Sequence, residues 1–406
     1  MTYYTRWTED EIQAPVSQRK VRLLFGARQT GKSTLLGRVV GAEKNKRVFN
    51  LQDTSLRLSL EKNPAVFSEQ LLATTEKNLT VYVDEIQKVP ALLDEIQRLF
   101  DQHPRRFHFV LTGSSARRLR SSSANLLPGR SHLFHLFPVT QPERGVVGRV
   151  LPLPFPKGIH PFPQRSLEDL LFYGSLPGIT QESAVGAARS LEAYAELYLE
   201  EEIRREGLVR DVGAFSRFLE LAALSSGKVI NLIKLSNESG VAKATLRNYY
   251  QILVDTFTGY WLEPFTESPR KRLLTTPRFY FFDLGVRNAA ARLSPSRSRL
   301  PLEGGDLLEH WVGLELIHRA RLLGRSYGVG FWRTVGGAEV DFVVKTPKDV
   351  VPIEVKWTEN PTLSDARHLL NFLENEPRAN HGWVVCRVPQ ARRLHDKVTA
   401  IPWQEM

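Results

Sequence analysis

Nine consecutive residues, Gly26-Ala27-Arg28-Gln29-Thr30-Gly31-Lys32-Ser33-Thr34, have the types and spacing that hold phosphate. Glycines let backbone N–H groups wrap an oxyanion at the start of a helix, where the dipole favours negative charge. In such a loop Lys32 reaches the terminal phosphates and the Ser33 hydroxyl ligates Mg2+. Two carboxylates follow at the end of the apolar run Leu79-Thr80-Val81-Tyr82-Val83-Asp84-Glu85. Asp84 is suited to hold Mg2+ with Ser33. Glu85 is suited to polarise the water that attacks a γ-phosphate. A further apolar run, Phe107 to Leu111, ends at Thr112-Gly113-Ser114-Ser115. Thr112 and Ser114 are both candidates to sense the γ-phosphate from the neighbouring strand. Arg130 is a candidate arginine finger, in cis or from a neighbouring subunit. The plainer reading of Arg130 is a solvated arginine beside a loop. The expected ligands are ATP and Mg2+.

These side chains need a scaffold. Val21 to Phe25 reads as a buried strand before the loop, and Leu35 to Val40 as a helix after it. Arg47 to Leu51 and Leu133 to Pro138 are further strands, and Thr54 to Thr74 is helical in pattern. Strands that deliver ligands at their C-terminal ends are the habit of open parallel α/β sheets.

The three motifs resemble those of an AAA+ ATPase. More narrowly, the chain resembles the prokaryotic family that joins an AAA ATPase to a DUF4143 region. Gly129-Arg130 and Pro138 follow the acidic pair as in that family. Gly174-Ser175-Leu176-Pro177-Gly178 stands where the family carries a Gly-Gly-Phe-Pro-like turn, with Ser175 and Leu176 as departures. The resemblance covers nearly the whole chain. It implies a P-loop AAA+ parallel-sheet core and a homo-oligomer, for which a hexameric ring is one form.

Composition agrees with several domains. The chain has 406 residues, 42% hydrophobic and 24% charged, with a net charge of +11. An excess of that size favours a polyanionic partner, most simply DNA, over a merely solubilising surface. The single cysteine, Cys386, lies in an apolar run, so a disulfide within the chain and a cysteine-based zinc site are excluded. With no signal peptide and no membrane-length apolar run, the expected location is the cytoplasm and no membrane partner is expected.

The expected domains are an ATPase core over 1–150, a linker and helical lid over 151–208, a winged helix over 209–283 and a nuclease-like domain over 284–406. The linker holds five prolines, Pro152, Pro154, Pro156, Pro161 and Pro163, which exclude helix and central strand. Ala187 to Glu206 reads as one lid helix, with Glu200-Glu201-Glu202 on its solvated face. Phe215 to Leu224, Val229 to Ser236 and Val241 to Leu253 read as three helices, with Asn237 to Gly240 as a turn. This resembles a helix-turn-helix, with Trp261 to Phe265 and Arg278 to Phe282 as wing strands. Lys243, Thr245, Arg247 and Asn248 on the third helix, and Arg270, Lys271 and Arg272 at the wing tip, are the candidate DNA contacts. A protein-docking role for the same module stays open.

The C-terminal region carries the second chemical candidate. Glu339 to Lys345 and Val350 to Lys356 read as strands joined by Thr346-Pro347-Lys348-Asp349. A hairpin through that loop pairs Lys345 with Val350, and hence Asp341 with Glu354. Alternation then puts Glu339, Asp341, Glu354 and Lys356 on one face, and Val340, Phe342, Val344, Ile353 and Val355 on the other. The segment resembles the core of a PD-(D/E)xK nuclease. The resemblance implies that Asp341 and Glu354 bind Mg2+, that Lys356 positions or activates water, and that Glu309 is the helical acid. The family's Pro-Asp dipeptide is absent, since Val340 precedes Asp341. An active nuclease, a degenerate nuclease fold and an ordinary charged hairpin remain alternatives. For the whole chain they are an ATP-driven DNA remodeller, an ATP-regulated nuclease, and a nucleotide-dependent protein switch or toxin–antitoxin component.

Overall fold

A computed structural model describes residues 3–116, 127–151, 160–199, 211–266, 276–334 and 336–406. It divides into two compact units, Met1–Phe137 with Asp255–Phe257, and Pro138–Val254 with Thr258–Met406. Several expected features lie outside the described residues: Pro152, Pro154 and Pro156, Glu200 to Glu202, and the basic triplet Arg270, Lys271 and Arg272.

In the first unit, helix α1 (Thr8–Gln13) precedes strand β1 (Val21–Phe25), helix α2 (Lys32–Gly41) and strand β2 (Lys46–Asn50). Helices α3 (Thr54–Lys62) and α4 (Ala65–Leu72) lead to β3 (Leu79–Asp84), α5 (Leu92–Gln102), β4 (Phe107–Gly113) and β5 (Ser131–His135). The strands form one parallel sheet in the order β2-β3-β4-β1-β5. Strand β4 is therefore flanked by β1, which feeds the phosphate loop, and β3, which ends in the acidic pair. Strands β1 and β3 are buried along their whole length, as central parallel strands covered on both faces must be. Phe25, Val83, Ile96 and Phe109 belong to the core beneath them.

Two expectations are corrected in this unit. The helical stretch from Thr54 to Thr74 is two helices, broken at Asn63-Pro64. Proline cannot donate to the preceding turn, and it drives the residue before it out of helical geometry. Asn63 has φ −145° and ψ 89° accordingly. The strand expected over Leu133 to Pro138 is Ser131–His135.

The second unit opens with α6 (Leu167–Tyr173) and α7 (Ala184–Ala193), which runs on as a π-helical segment, Tyr194–Leu199. The expected α-helix through that stretch thus changes register after Ala193. Gly174 has φ +68°, and a Cβ there would stand 2.1 Å from the Asp283 carboxylate, so only glycine fits. Asp283 accepts hydrogen bonds from Ser175 N and Val286 N and caps the helix that follows it.

Helices α8 (Val212–Leu224), α9 (Leu232–Ser239) and α10 (Lys243–Asp255) precede a two-stranded antiparallel hairpin, β6 (Gly259–Leu262) with β7 (Arg278–Phe281). The turn expected at Asn237 to Gly240 is shorter. Asn237, Glu238 and Ser239 are helical, and Gly240, at φ +69°, is the C-cap. Asn231 caps the start of α9, accepting from Ile233 N and Lys234 N.

Helix α11 (Leu284–Ala290), the long α12 (Leu300–Leu323), and strands β8 (Gly328–Arg333), β9 (Glu339–Lys345) and β10 (Val350–Val355) follow. Helix α13 (Arg367–Asn375) and strands β11 (Gly382–Cys386), β12 (Arg392–His395) and β13 (Val398–Pro402) complete the unit. The sheet order is β12-β13-β11-β10-β9-β8. Cys386 lies in its interior, fully buried, with its thiol near the Ile401 carbonyl.

Lys345 pairs with Val350 and the register runs on to Phe342 with Ile353, as the four-residue loop requires. The simple alternation fails. The β8–β9 register shifts between Gly330 and Trp332, so Asp341 and Phe342 together oppose one residue. This β-bulge turns the face over. Val340 and Val343 both pack with Leu369 and Phe372 of α13, while a Cβ on Gly313 of α12 would meet the Phe342 ring.

Candidate functional site

The phosphate loop is built by close approach. A Cβ on Gly26 would lie 2.3 Å from the Leu136 carbonyl oxygen, and Gly31, at φ +93°, caps the start of α2. Lys32 is buried, and its ammonium donates to the carbonyls of Gly26 and Ala27, both at 2.9 Å. Ser33 is exposed, with Oγ 3.3 Å from each carboxylate oxygen of Asp84. Asp84 also accepts from Tyr82 Oη at 2.9 Å, from Thr112 Oγ1 and from Gln52 Nε2.

Glu85 leaves the strand in the left-handed region, at φ 60° and ψ 50°, which is strained for a residue with a side chain. The fold holds it there. Its N–H donates to Thr112 Oγ1 at 3.0 Å, and its carboxylate accepts from Ser114 Oγ at 2.8 Å and from Gln87 Nε2. Gln87 Nε2 also donates to Ser114 Oγ at 3.0 Å, closing a ring of three side chains. Burial works to raise the Glu85 pKa. The Lys32 charge, the Ser114 and Gln87 hydrogen bonds and the Arg28 charge outweigh it and hold the pKa below the usual carboxylate value. Thr112 and Ser114 thus divide the acidic pair between them, Thr112 on Asp84 and Ser114 on Glu85.

The residues present fit a magnesium nucleotide. Lys32 rests on two backbone carbonyls, weaker acceptors than phosphate oxygens. Ser33 and Asp84 offer Mg2+ adjacent hard oxygens. Gln87 was not singled out from sequence, nor was Arg6, which donates to the carbonyls of Thr30 and Phe137 at 2.7 Å each and so braces the loop from the N-terminal side. The in-cis role for Arg130 is not supported. Its carbonyl accepts from Val21 N at the beginning of β1, the opposite end of that strand from the loop, and its guanidinium pairs with Asp101 at 2.7 Å.

The C-terminal acids do converge, together with an unexpected cation. Arg278 of β7 is buried and pairs with Glu309 at 2.6 Å and with Glu339. Lys356 Nζ pairs with Glu354 at 2.7 Å, and the Asp341 carboxylate accepts Val355 N at 2.8 Å. Among the described residues no three His, Cys, Asp or Glu side chains are grouped to hold a metal ion, and Arg278 engages the helical acid.

Burial, then the Asp341 charge, pushes Glu309 up to about 7 and Glu354 up to about 8. The native state therefore keeps protons that the unfolded chain releases near pH 4.5. Their stabilisation is full below that pH and is lost as pH rises through 7 to 8. We expect Glu354→Gln, which imitates the protonated acid, to flatten part of the fall in melting temperature between pH 5 and pH 8.5. Parallel wild-type and variant curves would refute this.

On α10, Lys243, Arg247 and Asn248 are exposed as expected, and Thr245 is half-buried. Lys243 and Arg247 line one large cavity together with Gln251, which follows at helical spacing.

A phosphate loop and a following acidic strand on either side of β4, in a five-stranded parallel sheet, have the arrangement of a P-loop, AAA-like α/β core. Residues 18–144 match the family described as AAA domain. Residues 304–406 match DUF4143, a domain of unknown function, and residues 164–297 match a separate one, DUF8612. The DUF4143 match thus covers C-terminal residues, while the three helices and hairpin fall in the other family's stretch. The chain is 26% identical to an uncharacterized protein of Mycobacterium tuberculosis, over 87% of this chain and 74% of that protein. It is 21% identical to an uncharacterized protein of Haemophilus influenzae, covering 87% of each. Among solved structures it is similar to a DNA polymerase III gamma subunit-related protein from Thermotoga maritima, at 9% identity and a TM-score of 0.26, over 61% of this chain and 97% of that one. Among the described residues no helix is long and apolar enough to cross a membrane.

Proposed function

We propose that this chain hydrolyses ATP and couples the hydrolysis to DNA held by its second unit. The observation that carries the first half is the ring of Glu85, Ser114 and Gln87 beside Lys32. A carboxylate kept ionised and aimed by two donors is a general base ready for water. Mg2+, held by Ser33 and Asp84, would supply charge neutralisation on the phosphates. Lys32 binds the terminal phosphates, Glu85 takes the proton of the attacking water, and Ser114 releases or holds Glu85 according to what fills the loop. ATP binding and hydrolysis are thereby linked through one hydroxyl.

The DNA half rests on the cationic row of Lys243 and Arg247, on a hairpin that packs its aromatics on Tyr250 of the third helix, and on the net charge of +11. Remodelling by a ring, with Arg130 presented by a neighbouring copy, completes the reading. The C-terminal acids are better read as a retained nuclease-like fold than as a cutting centre, because the buried Arg278 guanidinium already occupies Glu309 and Glu339.

The test is the ATPase rate in Mg2+ at fixed salt, alone and with duplex, single-stranded and branched DNA, with the same samples run on a denaturing gel. Stimulation by one form with intact strands is expected. Nicked strands would move the weight to Asp341, Glu354 and Lys356. A flat rate with untouched DNA would favour a protein-partnered switch.

A further inference from the structure

Helix α10, the start of α9 and the base of the β6–β7 hairpin enclose a groove of about 1010 Å³. Pockets for small ligands enclose roughly 300–1000 Å³, so this one stands at the top of their range. Lys243, Arg247 and Gln251 form one wall, Trp261 and Tyr250 another, and Ile233, which is 60% exposed, stands at the rim. No acidic side chain lines the groove among the described residues. At the groove the fully buried Tyr250 carries a hydroxyl without a hydrogen-bond partner. An orphan hydroxyl there costs stability.

We infer that this groove takes an unpaired stretch of nucleic acid, one base entering against Trp261 while Lys243 and Arg247 hold the flanking phosphates. The chemistry of the walls selects this occupant. Two cations without a carboxylate suit a polyanion. A half-buried indole offers a π-face, and stacking on an aromatic ring is how single strands are held without a sequence requirement. Gln251, exposed on the same face of α10, offers an amide to the polar edge of the base. The ring of Trp261 is fixed in place by Tyr250 and Phe279, at centroid distances of 5.3 and 5.2 Å. A duplex keeps its base faces stacked and could use only the two cations. The inference rests on the DNA reading above and narrows it to single-stranded or locally opened DNA.

The test is fluorescence anisotropy of the full chain at fixed salt, with a labelled 20-mer oligothymidine and a labelled blunt duplex of equal length. The single strand should bind at least about tenfold more tightly, and Trp261→Leu should remove about tenfold of that affinity while leaving duplex binding unchanged. Tyr250→Phe removes only the orphan hydroxyl. It should raise the melting temperature of the protein and leave single-strand binding unchanged. If Trp261→Leu melts early, Ile233→Glu replaces it, since an exposed rim position tolerates a carboxylate that repels the strand. Tighter duplex than single-strand binding, or wild-type single-strand affinity in a folded Trp261→Leu or Ile233→Glu chain, overturns the groove and leaves the DNA reading standing. Binding of neither form overturns both and points to a protein ligand.

Discussion

Glu85→Gln should lower ATP turnover by about 10² to 10⁴-fold while leaving ATP affinity near wild type. The amide keeps the size of the side chain and its place beside Ser114 and Gln87, but it cannot accept the proton of water. The backbone strain at φ 60° is unchanged by the substitution, so the position should fold as before. The wild-type carboxylate is held below its usual pKa, so it is ionised throughout the neutral range. Turnover should therefore show no loss from protonation of Glu85 as pH falls from 8 to 6. Phosphate release and titration with a fluorescent nucleotide measure the two quantities separately. Wild-type turnover in Glu85→Gln would remove Glu85 as the base.

Lys32→Ala should act earlier, at binding. Lys32 is buried and holds two loop carbonyls at 2.9 Å, so its removal deletes the charge that meets the phosphates and loosens the loop itself. Losing charge-assisted hydrogen bonds to phosphate should weaken ATP on the order of 100-fold. At a nucleotide concentration about 100 times the wild-type Kd, the wild type gains about 2.7 kcal/mol of stability and the variant little. A thermal melt with and without ATP·Mg2+ reads the difference directly. An equal rise in melting temperature for both chains would rule out Lys32 as the phosphate ligand. The same substitution also removes the Lys32 charge that lowers the Glu85 pKa, so residual activity should lose its flat pH profile.

The candidate nucleotide site was legible because its chemistry is written in contiguous residues. A glycine-bearing loop after an apolar strand, and an acidic pair at the end of another, fix both residue types and elements. The Lys345–Val350 pairing was legible for a similar reason, since loop length sets hairpin register. What escaped depended on contacts between distant residues. Arg278 reaches Glu309 and Glu339 from a strand that carries no motif. The bulge at Asp341 and Phe342 is set by the neighbouring strand β8, and no pattern within β9 announces it. Tyr250 and Trp261 read as ordinary core and strand aromatics, because an unsatisfied hydroxyl is visible only when its surroundings are built. Gln87 lies two residues beyond Glu85, and only the turn after β3 brings its amide back to the carboxylate. The helix break at Asn63-Pro64 was available in the sequence and was overridden by the longer helical period around it.

The position of Cys386 has a practical consequence for watching this molecule work. The only thiol of the chain is sealed inside the C-terminal sheet, and burial raises its pKa above that of a free cysteine. Maleimide dyes need an accessible thiolate, so the folded wild-type chain should remain unlabelled. Any pair of cysteines placed on exposed positions then becomes the only reactive pair. Dye separations could be followed through the ATP cycle, one molecule at a time, without first stripping a native residue from the core.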